Sequence, residues 1–486
     1  MDTPDDTEPN VTEPAETEPQ NEREKVKDGV PLDLNYSNLE NNTITFFQRD
    51  NLDIVKYEIC SEEILNDTLF DAIHYRNLDV EERLGVDLKT IAQKCSSGST
   101  ATAWFEVLST AVNSNSDEID VAAIYADIGA PYALQNLYAN LFDYSVQQGD
   151  GYIDLEKPWW EQSFIDNLNL YGNLFYLSGD LCVSRIYGIQ IVRFNKELFS
   201  EKFPEQSPST LYDLVDSGKW TIEKMTEYAS QVWDDVNTNG ARDDGDTVGF
   251  IWFQTTDHAQ CTSWTYALDV DLTTRDQYGD YEIGNFNAKV IPAYELYSKL
   301  YQSDGSIVSR MGATARADAL TDMPNGNVLF MCDAIGNGGK YREGVFTCGI
   351  LPMPKYNEEQ DHYANGMYSF STLLTIPSHL SAERGKVISA VLEVMNAESY
   401  KQVTPVFYSK VVQGHYSNEE ADARMYDLAI QTCQYTFEQV FTRHLPSSLT
   451  KIFQGLNKDI QQEIDSNVDA WPEALARLLA GFEEME

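Results

Sequence analysis

Between Asp235 and Asp246, side chains that carry oxygen fall at a spacing that can hold a metal ion. With Asp235 as position 1, Asn237, Asn239, Asp243 and Asp246 take positions 3, 5, 9 and 12, and Gly240 takes position 6. This is the spacing of a calcium loop of EF-hand type. Calcium needs about six to eight hard oxygen ligands, and alternate residues of a tight loop can wrap one ion. Gly240 permits the sharp turn. Ala241, at position 7, offers only its backbone carbonyl. An Asp at the last position reaches less far than a Glu. Thr247–Phe253 reads as a strand, so no second helix follows and the loop is not half of a regulatory pair. The expectation is one structural calcium ion; the alternative is an ordinary Asn/Gly/Asp turn.

A second set of residues could bind a hydroxyl-rich ligand. Sugars present apolar C–H faces, which aromatic rings cover, and hydroxyls, which Asp, Asn, Gln or Arg satisfy. In sheets of parallel strands, ligands lie beyond the carboxyl ends of the strands. That rule nominates Gln48 and Arg49, then Tyr125 and Asp127, in the first half of the chain, of which Arg49, Tyr125 and Asp127 are the site candidates. Trp252, Asp257, Trp264 and Asp333 are the candidates in the second half, and Asp180 lies between the halves. Trp159 and Trp160 are adjacent, so they point ~100° apart on a helix or to opposite faces of a strand. One is therefore expected in the core and the other at a cleft. No basic cluster emerges at these strand ends, which disfavours an anionic ligand.

The elements that must position these residues alternate. Thr43–Gln48, Ile54–Ile59, Val86–Ile91 and Ile119–Tyr125 read as strands. Asn66 or Asp67 can cap a helix that runs to Leu84 and stops at Gly85, and Thr100–Val112 is helix-like. Leu174–Leu177 and Ile186–Phe194 are two apolar runs around Ser178-Gly179-Asp180, the point where the chain leaves one α/β unit for another. Thr221 caps a helix whose apolar stripe is Ile222, Met225, Ala229, Val232 and Trp233. Asn325–Asp333 and Thr372–Ile376 are buried strands, and Ser381 caps a helix beyond them. Gly336–Lys340 is not a phosphate loop: Ala334 stands where that pattern needs Gly, and Tyr341 where it needs Ser or Thr.

A chain of 486 residues exceeds a single core, so two or three domains are expected. The net charge of -44 argues against nucleic acid or an anionic membrane as partner. Seven scattered cysteines without a CxxC form neither a disulfide framework nor a zinc site. The first 33 residues are Pro, Thr, Glu and Asp with few apolar side chains, and a disordered acidic tether is expected there. A tether at the start suggests a removed export signal, with Met1 added.

Five stretches together resemble the extracellular solute-binding proteins of family 1, which deliver ligands to ABC importers. They are residues 157–164 (KPWWEQSF), 179–199 (GDLCVSRIYGIQIVRFNKELF), 210–225 (TLYDLVDSGKWTIEKM), 349–356 (GILPMPKY) and 391–408 (VLEVMNAESYKQVTPVFY). Their order, spanning most of the chain after residue 40, carries the resemblance. It implies an α/β, two-lobed periplasmic-binding-protein-like fold of class II, with crossing hinge strands and closure around a ligand, commonly a sugar or oligosaccharide. It places residues 34–183 with about 369–410 in one lobe, and 184–368 with about 411–486 in the other. It further implies a monomeric, non-catalytic lipoprotein on a bacterial surface, anchored through a cysteine that this chain lacks, with membrane permease subunits as partners. The alternatives are a carbohydrate-active enzyme and a calcium-dependent surface glycan-binding module. The six histidines are dispersed, and no HExxH or GxSxG is present.

Overall fold

The computed structural model describes residues 18–59, 64–96, 98–242, 246–253, 258–284, 286–309, 323–341, 344–367, 371–409, 420–441, 443–454 and 459–485. The first sheet holds β1 (Thr43–Arg49), β2 (Asp87–Gln93), β3 (Val121–Tyr125) and a strand from far down the chain, Thr372–Thr375. β1 lies between β2 and β3 and runs parallel to both, while Thr372–Thr375 pairs antiparallel with β3. β-branched and aromatic residues make these runs strands, and their alternation feeds two cores. Ile44, Phe46, Val121 and Ala123 pack on one face, under the helix Ala382–Glu398. Phe47, Ala122 and Ile124 pack on the other, with Trp104 and Phe105 of the helix Gly98–Ser114.

The caps form as the sequence predicts. The Asp67 carboxylate accepts from the N–H groups of Leu69 and Phe70, and Gly85 ends that helix at φ +64°. Thr221 and Ser381 accept from the N–H groups of Lys224 and Arg384. Three local readings change. Ile54–Ile59, read as a strand, begins in a short helix, Asp53–Tyr57, that buries Ile54 and Val55. Leu174–Leu177 forms no strand, only a bridge from Leu177 to Leu374. The helix after Thr221 ends at Ala229, and Trp233 leaves its apolar stripe for a two-residue strand, 41% exposed.

The second sheet is contiguous in sequence. β4 (Gln190–Asn195) lies between β10 (Val328–Ala334) and β11 (Cys348–Leu351), antiparallel to both. β10 pairs parallel with β6 (Thr247–Phe253), whose far edge carries β5 (Trp233–Asp234) and β9 (Ser306–Ser309). β7 (Thr273–Arg275) and β8 (Tyr281–Ile283) form a separate hairpin. Every residue of β4 and β10 is buried, as strands covered on both faces must be.

Two segments connect the sheets side by side. Ile189 bridges Met367, the N–H of Gln190 donates to the carbonyl of Gly366 (2.9 Å), and the N–H of Thr372 donates to Oγ of Ser184 (3.1 Å). A third passage follows the helix Ala382–Glu398 and reaches the helix Glu420–Gln431, where Asp422 pairs with Lys196 (2.9 Å).

Both ends of the chain differ from expectation. Within the stretch read as tether, Glu18–Lys25 is helical and Arg23 lies 4.4 Å over the Tyr400 ring. Asp28 pairs with Arg83 (2.8 Å), and Val30 is buried. The C-terminal segment, assigned to the second lobe, also touches the first. Arg443 pairs with Asp127, and the Tyr435 carbonyl accepts from Nδ2 of Asn167 (2.6 Å). The six described cysteines are buried free thiols. Among the described residues no helix is long and apolar enough to cross a membrane.

Candidate functional site

Because β1, β2 and β3 are parallel, their carboxyl ends form a row, and Arg49 and Tyr125 end two of them. The Arg49 guanidinium is buried. It donates to Oγ1 of Thr372 (2.6 Å) and lies 4.6 Å over the Tyr125 ring. Asp127 follows in the turn Ala126–Gly129 and accepts from Nε of Arg443 at 2.9 Å. The Asp127 side chain is 4% exposed and that of Arg443 is 44% exposed. Cys95, beyond β2, is held by Asn51, whose Oδ1 accepts from the Cys95 N–H (2.8 Å). Burial pushes its thiol up to about 11, so it stays protonated at neutral pH.

Beside this row opens a cavity of about 380 Å³. Its walls are the first turn of the helix Gly98–Ser114, the segment Ile128–Gln135, and Arg443 with His444. Tyr132 stacks on Phe105 (4.0 Å between centroids, 8° between planes), which covers one ring face and leaves the other for the cavity it lines. Burial, with Arg443 beside it, lowers the pKa of His444, which favours the neutral imidazole. The cavity thus offers an aromatic face, the Thr102 hydroxyl, the Gln135 amide and a charge-compensated guanidinium. Such a set suits neutral hydroxyls. Hydrolysis of a glycosidic bond needs two carboxyl groups flanking it, and no Asp or Glu is among the described residues of the wall.

The structure therefore brings Arg49, Tyr125 and Asp127 together and scatters the other nominees. Trp159 and Trp160 are both buried in the core beneath the helix Ala382–Glu398, where one was expected at the cleft. The indole N–H of Trp160 donates to Glu393 (2.9 Å), a partner that only this burial supplies. Asp180 is buried too, paired with Arg185 (2.8 Å) and accepting from Oγ1 of Thr404 (2.8 Å). Trp264 is a core residue of the second lobe, 5.1 Å from Tyr297. Asp333 is buried against Arg193 (3.8 Å), Tyr341 (3.0 Å) and Asn337 (2.6 Å). The Trp252 side chain and Asp257 lie outside what is described. Arg443, His444 and Tyr132 were not nominated; Arg443 and His444 carry no local signal that links them to β3.

In the metal-like loop, Asp235 accepts from the N–H groups of Asn239 (3.1 Å) and Gly240 (2.7 Å). Asn237 accepts from the Asn239 N–H (3.0 Å) and Asn239 from the Ala241 N–H (2.7 Å). Asp246 accepts from the Val236 N–H (3.1 Å) and from the indole of Trp233 (3.2 Å). Gly240 has φ +76°, the left-handed turn its place required. Asp243 lies outside the described residues. Among those described, no three His, Cys, Asp or Glu side chains gather closely enough to hold a metal.

No family model and no curated protein sequence matches the chain. Solved structures do. The sugar-binding protein MalE from the phytopathogen Xanthomonas citri aligns with a TM-score of 0.59 at 15% identity, over 91% of this chain and 99% of that one. A cyclo/maltodextrin-binding protein solved with maltotetraose gives 0.56 at 10% identity, over 93% and 98%. An ABC substrate-binding protein from Listeria monocytogenes solved with cycloalternan gives 0.53 at 11%, over 90% and 100%. At such identities the likeness speaks for architecture, and the chain has the two-lobed α/β fold of these binding proteins.

Proposed function

We propose that this protein captures a neutral sugar or oligosaccharide and hands it to the membrane permease of an ABC importer. The observation that carries the reading is the cavity at the strand ends of the first sheet, with the Tyr132 face and the Asp127–Arg443 pair together. The shared fold supports it, since proteins of this architecture were solved with maltotetraose and cycloalternan bound. Binding would shift the lobes toward closure by as much as the ligand prefers the closed form. In this reading the protein works outside the cell as a monomer, held at a bacterial surface, and turns nothing over.

Calorimetry with maltotetraose, cycloalternan and a panel of neutral and acidic glycans tests it. A neutral glycan should bind, and Tyr132→Ala should weaken it about tenfold, or ~1.4 kcal/mol. Binding of peptides or organic acids alone would overturn the reading. Release of shortened glycans over hours would favour an enzyme instead.

We also propose that the loop from Asp235 to Asp246 holds one calcium ion that acts on stability. Its support is the spacing of Asp235, Asn237, Asn239, the Ala241 carbonyl, Asp243 and Asp246, together with the observed turn at Gly240.

A further inference from the structure

Glu58 has no part in the cavity, yet it sits where the connections between the sheets converge. It follows the short helix Asp53–Tyr57, which turns the chain back under the end of β1, and it is 1% exposed. One carboxylate oxygen accepts from the backbone N–H of Ser184 on the first connection (3.0 Å). The other accepts from the hydroxyl of Thr372 on the second. The Thr372 N–H donates in turn to Oγ of Ser184 (3.1 Å), which closes a ring through three distant parts of the chain. Arg49 donates to the same Thr372 hydroxyl (2.6 Å) and carries the network to the Tyr125 ring. Arg76 fixes the backbone beneath, through the Ile59 carbonyl (2.5 Å), and also donates to Oγ of Ser399 (2.6 Å), at the start of the third passage.

Hinges concentrate their backbone rotation in a few residues at element ends. Here those residues are tied to one another by a buried carboxylate. Buried donors left without an acceptor are costly.

We propose that Glu58 is the common fastening of the interlobe hinge, a side chain of the first lobe that holds both neighbouring connections and so sets how freely the lobes rotate. Through Arg49 the same fastening meets the candidate site. The inference does not depend on what the cavity binds, so its test uses the unliganded full chain.

The experiment compares wild type, Glu58→Gln and Glu393→Gln by amide hydrogen exchange and small-angle scattering at neutral pH. Glu393 is the control, a buried carboxyl of the same lobe that accepts from Asp154 and Trp160 and touches neither connection. Glu58→Gln should speed exchange in residues 184–190 and 371–376 together, at least tenfold, and broaden the distance distribution. Glu393→Gln should do neither. Faster exchange in one connection only, or no change in either, overturns the proposal. Should Glu58→Gln fail to fold, Thr372→Val removes one arm of the ring and should speed exchange at Ser184 about threefold; an unchanged Ser184 overturns it equally.

Discussion

The two sheets end in opposite ways, although the same rule points to both. In the first, the carboxyl ends of parallel strands lead to a cavity, and the acid found there, Asp127, pairs with a guanidinium that is 44% exposed. In the second, β10 carries Asp333 one residue before its end, closed over by the short helix Ile335–Tyr341 and facing Arg193, 0% exposed. A strand end offers a site only where nothing folds back across it. The rule says where a site can be; the covering segment decides whether it is one.

Substitution of the two acids would break this comparison most directly. Asp333→Ala removes a carboxylate beside the buried Arg193 and the acceptor that Tyr341 and Asn337 donate to. It should cost about 3–5 kcal/mol, the usual penalty for removing one partner of a buried pair. Asp127→Ala leaves a guanidinium that water can reach, and should cost about 1 kcal/mol or less while glycan affinity falls. Urea unfolding of both variants checks this, and equal losses would abolish the distinction drawn between the sheets.

The second lobe also carries the proposed calcium loop, so chelation should act there and spare the cavity. At a hundredfold excess of calcium over its dissociation constant, its removal should cost about 2.7 kcal/mol. Asp235→Ala should abolish the response. A melting temperature indifferent to chelator, with no metal in the purified protein, would remove calcium from the account.

A further effect, spread over pH rather than taken in one step, belongs to the rear of the first lobe. Burial pushes the Glu393 carboxyl up to about 8, offset in part by the Asp154 N–H and the Trp160 indole. The folded chain therefore keeps this proton at pH values where the unfolded chain has released it. Stability from this group is full at low pH and is lost as pH rises toward about 8, by at most ~1.4 kcal/mol per pH unit. Glu393→Gln should flatten that slope between about pH 5 and pH 8. An unchanged slope would show that Glu393 is ionised in the folded chain.

Much of the fold was legible because it is written locally. The apolar runs of β1, β3, β6 and β10, and the caps Asp67, Gly85, Thr221 and Ser381, each depend on neighbours within one element. Ile54–Ile59 misled because five or six residues cannot display a helical period distinct from a strand's. Arg49, Tyr125 and Asp127 were reachable, since parallel pairing alone lines up strand ends. Arg443 was not, because its partner is 316 residues away and no local pattern links them. Trp159, Trp160 and Trp264 show the converse: an aromatic residue reads alike whether it will fill a core or face a sugar. At the N-terminus, average composition hid the few side chains that dock, Arg23, Asp28 and Val30.

The strand Thr372–Thr375 has a consequence for how the chain is made. It pairs with β3 across a gap of about 250 residues, while the second sheet draws all its strands from between Gln190 and Leu351. At synthesis rates of about 5–20 residues per second, β3 waits roughly ten seconds to a minute for its edge partner. During that time the second sheet can already assemble from its own strands. The lobe that emerges first from the ribosome is therefore the last to complete its sheet, and until it does, the edge of β3 is exposed to chaperones and to other nascent chains.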